Sequence, residues 1–244
     1  MSSYEEFYRE SLYPLQDGVM NLLRSTGSPF YLTGGTALNR YYFRCRYSDD
    51  LDFFVNNDGD FSSHVQKCFD EIEKHQSTLG YTLDYDSVRK TESFSQLVLR
   101  NVGVSEVNLK IDFVNDIASH YGEFKNDEAI GKIDSIRNIL SNKITALFRF
   151  EAKDIVDLWM ISKNYYFEWK ELLREAKTKD AGMEAIAIVQ ILRSFPLGRL
   201  DRIKWAEKPD YDLFKTDLDR ISDDIFYGRE NSLNSKEGRV GSRM

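Results

Sequence analysis

The sequence predicts an α/β (α+β) protein, with a mixed sheet and flanking helices, followed by a lobe built only of helices. Residues up to about 120 alternate between helical spacing of apolar residues and strand-like alternation, whereas residues after about 130 show helical spacing alone. The chain then ends in the polar segment "RENSLNSKEGRVGSRM". We therefore expect an α/β domain at 1–122, a helical domain at 123–228 and a polar tail at 229–244.

Composition limits the classes of protein that fit. The 244 residues are 41% hydrophobic and 30% charged, which is typical of a soluble globular protein with a hydrophobic core. The net charge of −7 argues against a broad nucleic-acid surface, because phosphate binding needs clustered Lys and Arg, but it allows a local basic cleft. No stretch approaches the roughly 20 apolar residues of a membrane span. With a charged N-terminus and only two cysteines, we expect a cytoplasmic protein of bacterial type.

The first half of the chain is predicted to combine helices with short strands. Apolar residues recur at helical spacing over 3–25, which predicts a helix. The segment "GSPFYLT" ends this helix and begins a short strand, after which Thr36 is a candidate N-cap for a helix to about Phe43. Further elements are expected as a strand at 50–55, a helix at 61–79, and strand-like stretches at 81–90, 94–101 and 106–114.

The remaining elements complete the prediction. The loop "VGVS" between the last two strand-like stretches is typical of a hairpin. Helical patterns then occupy 136–163, 167–177, 183–195 and 212–228. The three histidines show no ligand spacing, and we assign them to surface or core positions.

Carboxylates interrupt two of the predicted strands. Asp50 and Asp52 lie on one face of their strand, with Cα atoms about 6.6 Å apart at roughly 3.3 Å per residue. Asp112 lies on the polar face of an alternating strand. If these strands are neighbours, the three carboxylates meet at one face, where Mg²⁺ or Mn²⁺ would relieve their repulsion. The alternative is that the aspartates cap turns or lie at a solvated sheet edge.

Two glycines, Gly34 and Gly35, end the first strand and open a helix. Without Cβ atoms, the backbone can approach a ligand closely, and free N–H groups at a helix start attract phosphate. Thr36 adds a hydroxyl. The pattern lacks the Lys-Ser/Thr pair of a P-loop, and a simple tight turn is the alternative.

A charged cluster lies in "NKITALFRFEAKDIVDLW". Lys143 and Asp154 are eleven positions apart, which is almost the same face of a helix but about 16 Å along its axis. A break near Phe150 would bring them closer. The alternative is a solvated face with pairs among Arg149, Lys153 and Asp157.

These segments together resemble a known family. "GGTALNRYYFRCRYSDDLDFFV", "KIDFV" and "KITALFRFEAKDIVDL" are similar to the nucleotidyl transferase AbiEii/AbiGii toxin family, a branch of the polymerase-β-like nucleotidyltransferase superfamily. The resemblance spans about 30–160, and it is specific because G-G-T-x-L, R-x-S-x-D-x-D and K…R…K-D-x-x-D-L occur in order. It implies a nucleotidyltransferase fold, with a small mixed sheet followed by a helical lobe.

The resemblance also implies roles for individual residues. Asp50 and Asp52 would bind metal, and Asp112 would be the third carboxylate, assisting the attacking hydroxyl. Lys143 would contact nucleotide phosphates, with Asp154 completing the site. Gly34, Gly35 and Thr36 would hold the triphosphate. Arg46, Ser48 and Lys153 are the other candidates for nucleotide binding. For Arg46 and Ser48, either phosphate positioning or bracing of the D-x-D strand is open.

The function implied is Mg²⁺-dependent transfer of an NMP from an NTP to an acceptor hydroxyl of RNA, such as the 3′ end of tRNA, or of a protein. The family acts as toxins of type IV toxin–antitoxin or abortive-infection systems, which implies a cognate antitoxin. Arg40, Arg44 and Arg46 form a local basic strip in an otherwise acidic chain. The alternative is a catalytically silent protein of the same fold that binds nucleotide as a sensor.

Overall fold

The computed structural model describes residues 3–101 and 107–235. The chain divides into two compact units, Met1–Ser135 and Ile136–Met244. The predicted hairpin loop "VGVS" and residues 236–244 of the predicted tail lie outside the described residues. None of the described helices is both long enough and apolar enough to cross a membrane.

The first unit is built on a mixed sheet. The strands are β1 (Tyr31–Thr33), β2 (Leu51–Asn56), β3 (Tyr81–Leu83), β4 (Arg89–Lys90), β5 (Phe94–Asn101), β6 (Asn108–Asp116), β7 (Lys125–Asp127) and β8 (Gly131–Ile133). They run in the order β3-β5-β6-β2-β1-β8-β7, with β4 paired to β5. Strand β2 is parallel to β6 and antiparallel to β1, whereas β5 is antiparallel to β6.

Helices accompany this sheet in the same unit. The α-helices are α1 (Ser3–Phe7), α2 (Tyr13–Ser25), α3 (Gly34–Ala37), α4 (Phe61–Lys74) and α5 (Gln76–Leu79). The predicted helix over 3–25 is present as α1, a π-helical segment and α2, and the predicted helix at 61–79 is present as α4 and α5. The other helical segments are π-helical Tyr8–Leu12 and Leu38–Tyr42, and 3₁₀-helical Tyr85–Ser87.

Alternation along the strands places the core on one face of β2 and β6. Leu51 and Phe53 of β2 are buried, while Asp52 between them is partly exposed. Ile111 and Phe113 of β6 are fully buried on either side of Asp112. The rings of Phe53 and Phe113 stack with centroids 5.7 Å apart. The predicted two-faced pattern is confirmed, because apolar side chains pack into the core and leave the aspartates on the other face.

Three details differ from the sequence prediction. The helix after the glycines begins at Gly34, so Thr36 lies inside it and is not its N-cap. The stretch 81–90 contains two short strands separated by a 3₁₀ turn. Strands β7 and β8, which were not predicted, add a hairpin that pairs with β1 through Leu32 and Ile133. The first unit therefore extends to Ser135.

The second unit is helical, as expected. Its helices are α6 (Ile136–Ala146), α7 (Ala152–Asn164), α8 (Trp169–Lys179), α9 (Ala185–Arg193) and α10 (Tyr211–Tyr227), with 3₁₀ segments Leu147–Arg149, Leu197–Arg202 and Ser232–Asn234. Phe150 has φ +57°, a left-handed conformation that separates α6 from α7. In the predicted tail, Asn231 is fully buried and donates to the carbonyls of Ser162 and Tyr165. Residues 229–235 therefore pack onto the helices.

Candidate active site

Asp52 and Asp112 are brought together by the pairing of β2 with β6. The two residues are register partners in this parallel pair, so their side chains leave the sheet on the same face. The Nε2 atom of Gln96, from β5, donates to Oδ1 of Asp112 at 2.8 Å. This contact fixes the orientation of the Asp112 carboxylate on the polar face of the sheet.

Lys110, to which the sequence analysis assigned no role, links Asp50 to this group. The Nζ atom of Lys110 lies 2.6 Å from Oδ2 of Asp112 and 3.6 Å from Oδ2 of Asp50. Burial alone would lower the pKa of Lys110, but the hydrogen bond to Asp112 and the charges of Asp50, Asp112 and Asp52 raise it overall. Lys110 is therefore held as an ammonium among the three carboxylates.

The glycine turn lies directly against these acids. Gly34 has φ +68°, and a Cβ atom built there would overlap Oδ2 of Asp52. A Cβ atom at Gly35 would lie 2.6 Å from Nη2 of Arg46 and 2.9 Å from Oγ of Ser48. Gly34 is thus required by its backbone conformation, whereas a Cβ atom at Gly35 would need the ends of the Arg46 and Ser48 side chains to move.

The residues between the turn and β2 hold each other in place. Thr36 donates its hydroxyl hydrogen to the carbonyl of Asp50. Arg46 is 6% exposed, and its Nη1 donates to the carbonyl of Tyr47 at 3.0 Å. Asn39 accepts from the backbone N–H of Arg46 at 3.2 Å and donates to the carbonyl of Gly35 at 2.9 Å. These contacts tie the glycine turn to the segment that carries the aspartates.

Asp49, the first acid of the motif, faces the N-terminal helix. The hydroxyl of Tyr8 donates to Oδ1 of Asp49, and the Tyr8 ring stacks on Tyr47 with centroids 4.3 Å apart. Burial and the hydrogen bond to Asp49 both raise the pKa of Tyr8. Nε2 of Gln16 donates to the carbonyls of Ser48 and Asp49, each at 3.1 Å. Side chains of the helical region over 3–25 are therefore hydrogen-bonded to the segment just before the D-x-D strand.

Two of the three arginines in the basic strip, Arg40 and Arg46, make contacts within the protein. Nη2 of Arg40 lies 2.6 Å from Oδ1 of Asp17, and its guanidinium carbon lies 4.3 Å from the centroid of the Tyr13 ring. Arg46 is buried, as described above. These two arginines therefore contact the chain itself.

In the second unit, the helix break forms a buried ion cluster. Nζ of Lys143 lies 2.8 Å from Oδ1 of Asp154 and 2.7 Å from Oδ2 of Asp157. Nη2 of Arg149 lies 3.3 Å from Oδ2 of Asp154. The break near Phe150 that the sequence analysis considered is present, and the left-handed turn there folds α7 back on α6. Lys143 and Asp154 are therefore buried together, and the alternative of a solvated face is wrong for these two residues. Lys153 is exposed on α7.

The donor set of the first unit suits a hard divalent cation. Asp50, Asp52 and Asp112 offer carboxylate oxygens, which are the ligands that Mg²⁺ and Mn²⁺ prefer. The ammonium of Lys110 already lies among these groups, which shows that the space accepts a cation. The missing Cβ of Gly34 leaves room for the Asp52 carboxylate. These three residues could therefore hold the metal.

A second acidic group was missed by the sequence analysis, which gave His64 no ligand role. Ligand atoms of Asp58, Asp60 and His64 lie within 4.8 Å of one another and could hold an ion. Asp58 also accepts from the backbone N–H of Asp60 at 2.8 Å, and the carbonyl of Asp60 accepts from the N–H of His64 at 3.0 Å. These contacts close the turn that begins α4, so the group has a structural explanation without a metal.

A family model covers most of the sequence. Residues 22–233 match the model of the nucleotidyl transferase AbiEii toxin of type IV toxin–antitoxin systems. No curated protein is similar enough in sequence to count as a match.

Solved structures with a similar fold include proteins of Mycobacterium tuberculosis and Helicobacter pylori. MenT4, a nucleotidyltransferase toxin of Mycobacterium tuberculosis H37Rv, superposes with a TM-score of 0.61 at 14% identity, over 97% of this chain and 90% of that one. A proposed nucleotidyltransferase of Helicobacter pylori gives 0.56 at 20% identity, over 89% and 96% of the two chains. JHP933 of the same organism gives 0.53 at 18% identity, over 93% and 95%. At these identities the likeness establishes the fold, and it confirms the predicted fold class.

The residues matched by the family model include those of the candidate site. The matched residues include the glycine turn, the carboxylates of β2 and β6 and the ion cluster around Lys143. Because the model covers most of the chain, the protein belongs to the nucleotidyl transferase AbiEii toxin family.

Proposed function

We propose that the protein is a metal-dependent nucleotidyltransferase that moves an NMP from an NTP to an acceptor hydroxyl, and that it acts as a toxin. The observation that carries the proposal is the register of Asp52 with Asp112 on one sheet face, beside Gly34. Family membership supports the reaction type. Carboxylates beside a triphosphate would repel it unless cations intervened, so this arrangement suits metal-dependent transfer better than simple nucleotide binding.

Three residues would hold the metal. Asp50, Asp52 and Asp112 would bind Mg²⁺ or Mn²⁺, which when bound stabilises negative charge on the transferring phosphoryl group. Asp112 is also proposed to assist the attacking hydroxyl, and Gln96 keeps its carboxylate oriented for that role. The backbone N–H groups of Gly34 and Gly35, in the first turn of a helix, are proposed to donate to triphosphate oxygens.

The neighbouring motif residues are proposed to position these groups. Thr36 contacts the backbone of Asp50, and buried Arg46 contacts the backbone of Tyr47. With Ser48 against Gly35, these contacts support the bracing of the D-x-D strand over direct phosphate contact. Thr36 and Gly35 are then needed for the shape of the phosphate-binding turn.

The charged residues of the second unit are proposed to serve the nucleotide. Lys143 and Lys153 would contact its phosphates. Asp154 and Asp157 hold the Lys143 ammonium between them, so they would orient it. Asp154 is therefore proposed as a residue that completes the site through Lys143.

For the acceptor, we propose a hydroxyl of RNA, such as the 3′ end of tRNA, or a protein hydroxyl. A type IV toxin family also implies a cognate antitoxin as partner. Because NTPs are supplied in the cytoplasm, we place the reaction there.

The test is transfer of label from each α-³²P NTP to total RNA or total protein, with Mg²⁺ or Mn²⁺. We expect labelling of one acceptor class with at least one NTP, and its loss in Asp52→Asn and Asp112→Asn. Asp70→Asn, which removes an exposed carboxylate from α4, is the matched control and should label normally. Absence of transfer under all these conditions would count against the enzyme.

A silent nucleotide-binding sensor is the second candidate, and one observation favours it. Lys110 neutralises part of the acidic group without any metal, as a binding protein would need. This candidate predicts that NTPs raise the melting temperature without turnover. It also predicts that Asp112→Ala leaves any growth arrest intact, whereas the enzyme predicts loss of the arrest.

A further inference from the structure

The position of Lys110 is set by the sheet. It lies two residues before Asp112 on the same face of β6, and the register of Leu51 with Ile111 places it level with Asp50. Its side chain is 35% exposed, so water and ions can reach it. Lys110 is thus an accessible cation built into the strand that carries a proposed metal ligand.

Its ammonium uses atoms that a metal would need. Both oxygens of the Asp112 carboxylate are engaged, Oδ1 by Gln96 at 2.8 Å and Oδ2 by Lys110 at 2.6 Å. Each oxygen keeps a further lone pair, so it is the positive charge of Lys110, 2.6 Å from Oδ2, that opposes a divalent cation at Asp112. Lys110 also lies 3.6 Å from Oδ2 of Asp50, so it faces two proposed ligands at once.

The distances among the three proposed metal ligands agree with a lysine lying between them. Within 3–101 and 107–235, the ligand atoms of Asp58, Asp60 and His64 lie within 4.8 Å of one another. Those of Asp50, Asp52 and Asp112 do not meet this distance as a group. Carboxylates that share no close cation repel each other, whereas a lysine between two of them holds them near but separate.

We infer that Lys110 is an internal counter-ion that competes with the divalent cation for Asp112 and Asp50. It holds the carboxylates in place while no metal is bound, and metal binding displaces its ammonium. The inference rests on the proposed metal site. Its consequence is that the resting site is stable but binds metal more weakly than three carboxylates alone would, since affinity follows the net charge of the ligand set.

The test compares full-length wild type with Lys110→Met, using Mn²⁺ alone as the probe and EPR to measure free ion. We expect Lys110→Met to bind Mn²⁺ roughly tenfold more tightly, because one positive charge has left the ligand set. In EDTA, the variant should melt about 2–4 °C lower, since the carboxylates lose their counter-ion. Saturating Mn²⁺ should restore its melting temperature to that of wild type.

Two further variants separate competition from structural damage. Lys110→Arg keeps the charge and should retain wild-type Mn²⁺ affinity. Lys125→Met removes an exposed lysine of β7 and should change neither affinity nor melting. Equal or weaker Mn²⁺ binding by Lys110→Met would overturn the inference, as would a loss of melting temperature that Mn²⁺ does not restore. If Lys110→Met does not fold, Lys110→Gln takes its place under the same criteria.

Failure of this inference is distinguishable from failure of the proposed function. Transfer of label by wild type together with unchanged affinity in Lys110→Met would reject competition and keep the enzyme. Tighter Mn²⁺ binding by Lys110→Met without any transfer by wild type would keep competition and reject the enzyme. Undetectable Mn²⁺ binding by both proteins at millimolar concentration would reject competition, since no ion would be there to displace the lysine.

Discussion

Two lysine–aspartate clusters, one in each unit, use the same groups at different depths. In the second unit, the Lys143 side chain is 9% exposed and those of Asp154 and Asp157 are 0% and 1% exposed. In the first unit, the side chains of Lys110 and Asp50 are 35% and 33% exposed. Buried ion pairs are costly to break because the remaining charge cannot be solvated, whereas exposed pairs contribute little. The difference suggests a fixed cluster in one unit and an exchangeable cluster in the other.

The largest expected effect comes from breaking the buried cluster. Asp154→Ala leaves the buried ammonium of Lys143 with a poorer set of partners, and we expect the free energy of unfolding to fall by about 3 kcal/mol. Asp112→Asn makes the equivalent change beside a more exposed lysine, since the side chains of Asp112 and Lys110 are 15% and 35% exposed, and we expect a loss of about 1 kcal/mol or less. Urea denaturation of both variants measures the contrast. Equal losses would mean that burial does not separate the clusters.

The next effect tests the space around the exposed cluster. Gly34→Ala places a methyl group against the Asp52 carboxylate at φ +68°. We expect a stability loss of about 1–2 kcal/mol from the left-handed backbone, and a fall in transfer rate of roughly 100-fold from the displaced carboxylate. Labelled-NTP transfer and urea denaturation give the two values.

Gly80→Ala is the matched control for Gly34→Ala. Gly80 has φ +67°, but nothing lies within 4 Å of a Cβ atom there. The two variants should therefore share the backbone strain, while only Gly34→Ala loses activity. A comparable loss of activity in Gly80→Ala would show that strain in general, and not the contact with Asp52, impairs the protein.

A smaller effect is expected where the acidic motif meets the N-terminal helix. Tyr8→Phe removes the hydrogen bond to Asp49 and should cost about 1–2 kcal/mol of unfolding free energy. Tyr8 lies before the residues that match the family model. Transfer activity should fall less than in Gly34→Ala, because Asp49 is not one of the proposed metal ligands.

The contribution of Tyr8 should depend on alkaline pH. Burial and Asp49 raise the pKa of Tyr8 in the folded state above the ordinary value of 10.0. Its stabilising contribution is therefore full below about pH 10 and declines above it, because the unfolded chain then loses a proton that the folded chain keeps. Urea denaturation between pH 8 and 11 should show the difference between wild type and Tyr8→Phe shrinking at the alkaline end. A constant difference would argue against the hydrogen bond.

The sequence predicts the parts of the site that depend on local pattern. Alternation along β2 and β6 places the aspartates on a polar face, and the left-handed residue Phe150 lies where a break was considered. The register between Asp52 and Asp112 could not be predicted from spacing, because it joins strands sixty residues apart. The alternation placed these residues in one site only on the condition that the strands are neighbours, and the family resemblance implied that they are.

Other features were missed for identifiable reasons. Lys110 shares the face of Asp112 in the strand pattern, but a lysine beside an acid is usually a solvated pair, and no spacing rule separates the two cases. Strands β7 and β8 are three residues each, and the polar sequence of β7 carries no strand signal. The link from Tyr8 to Asp49 joins residues 41 positions apart and depends on packing alone.

The smallest expected effect concerns an exposed lysine beside the buried cluster. Lys153 lies next to Asp154 on α7 but faces solvent, so Lys153→Met should change the free energy of unfolding by less than about 0.5 kcal/mol. If Lys153 contacts nucleotide phosphates as proposed, the KM for the NTP should rise by roughly threefold to tenfold with little change in kcat, since a solvent-exposed charge contributes modestly. Lys163→Met, at the far end of the same helix, is the control and should leave KM unchanged. An unchanged KM in Lys153→Met would remove that residue from the site and leave Lys143 as the proposed phosphate ligand of this unit.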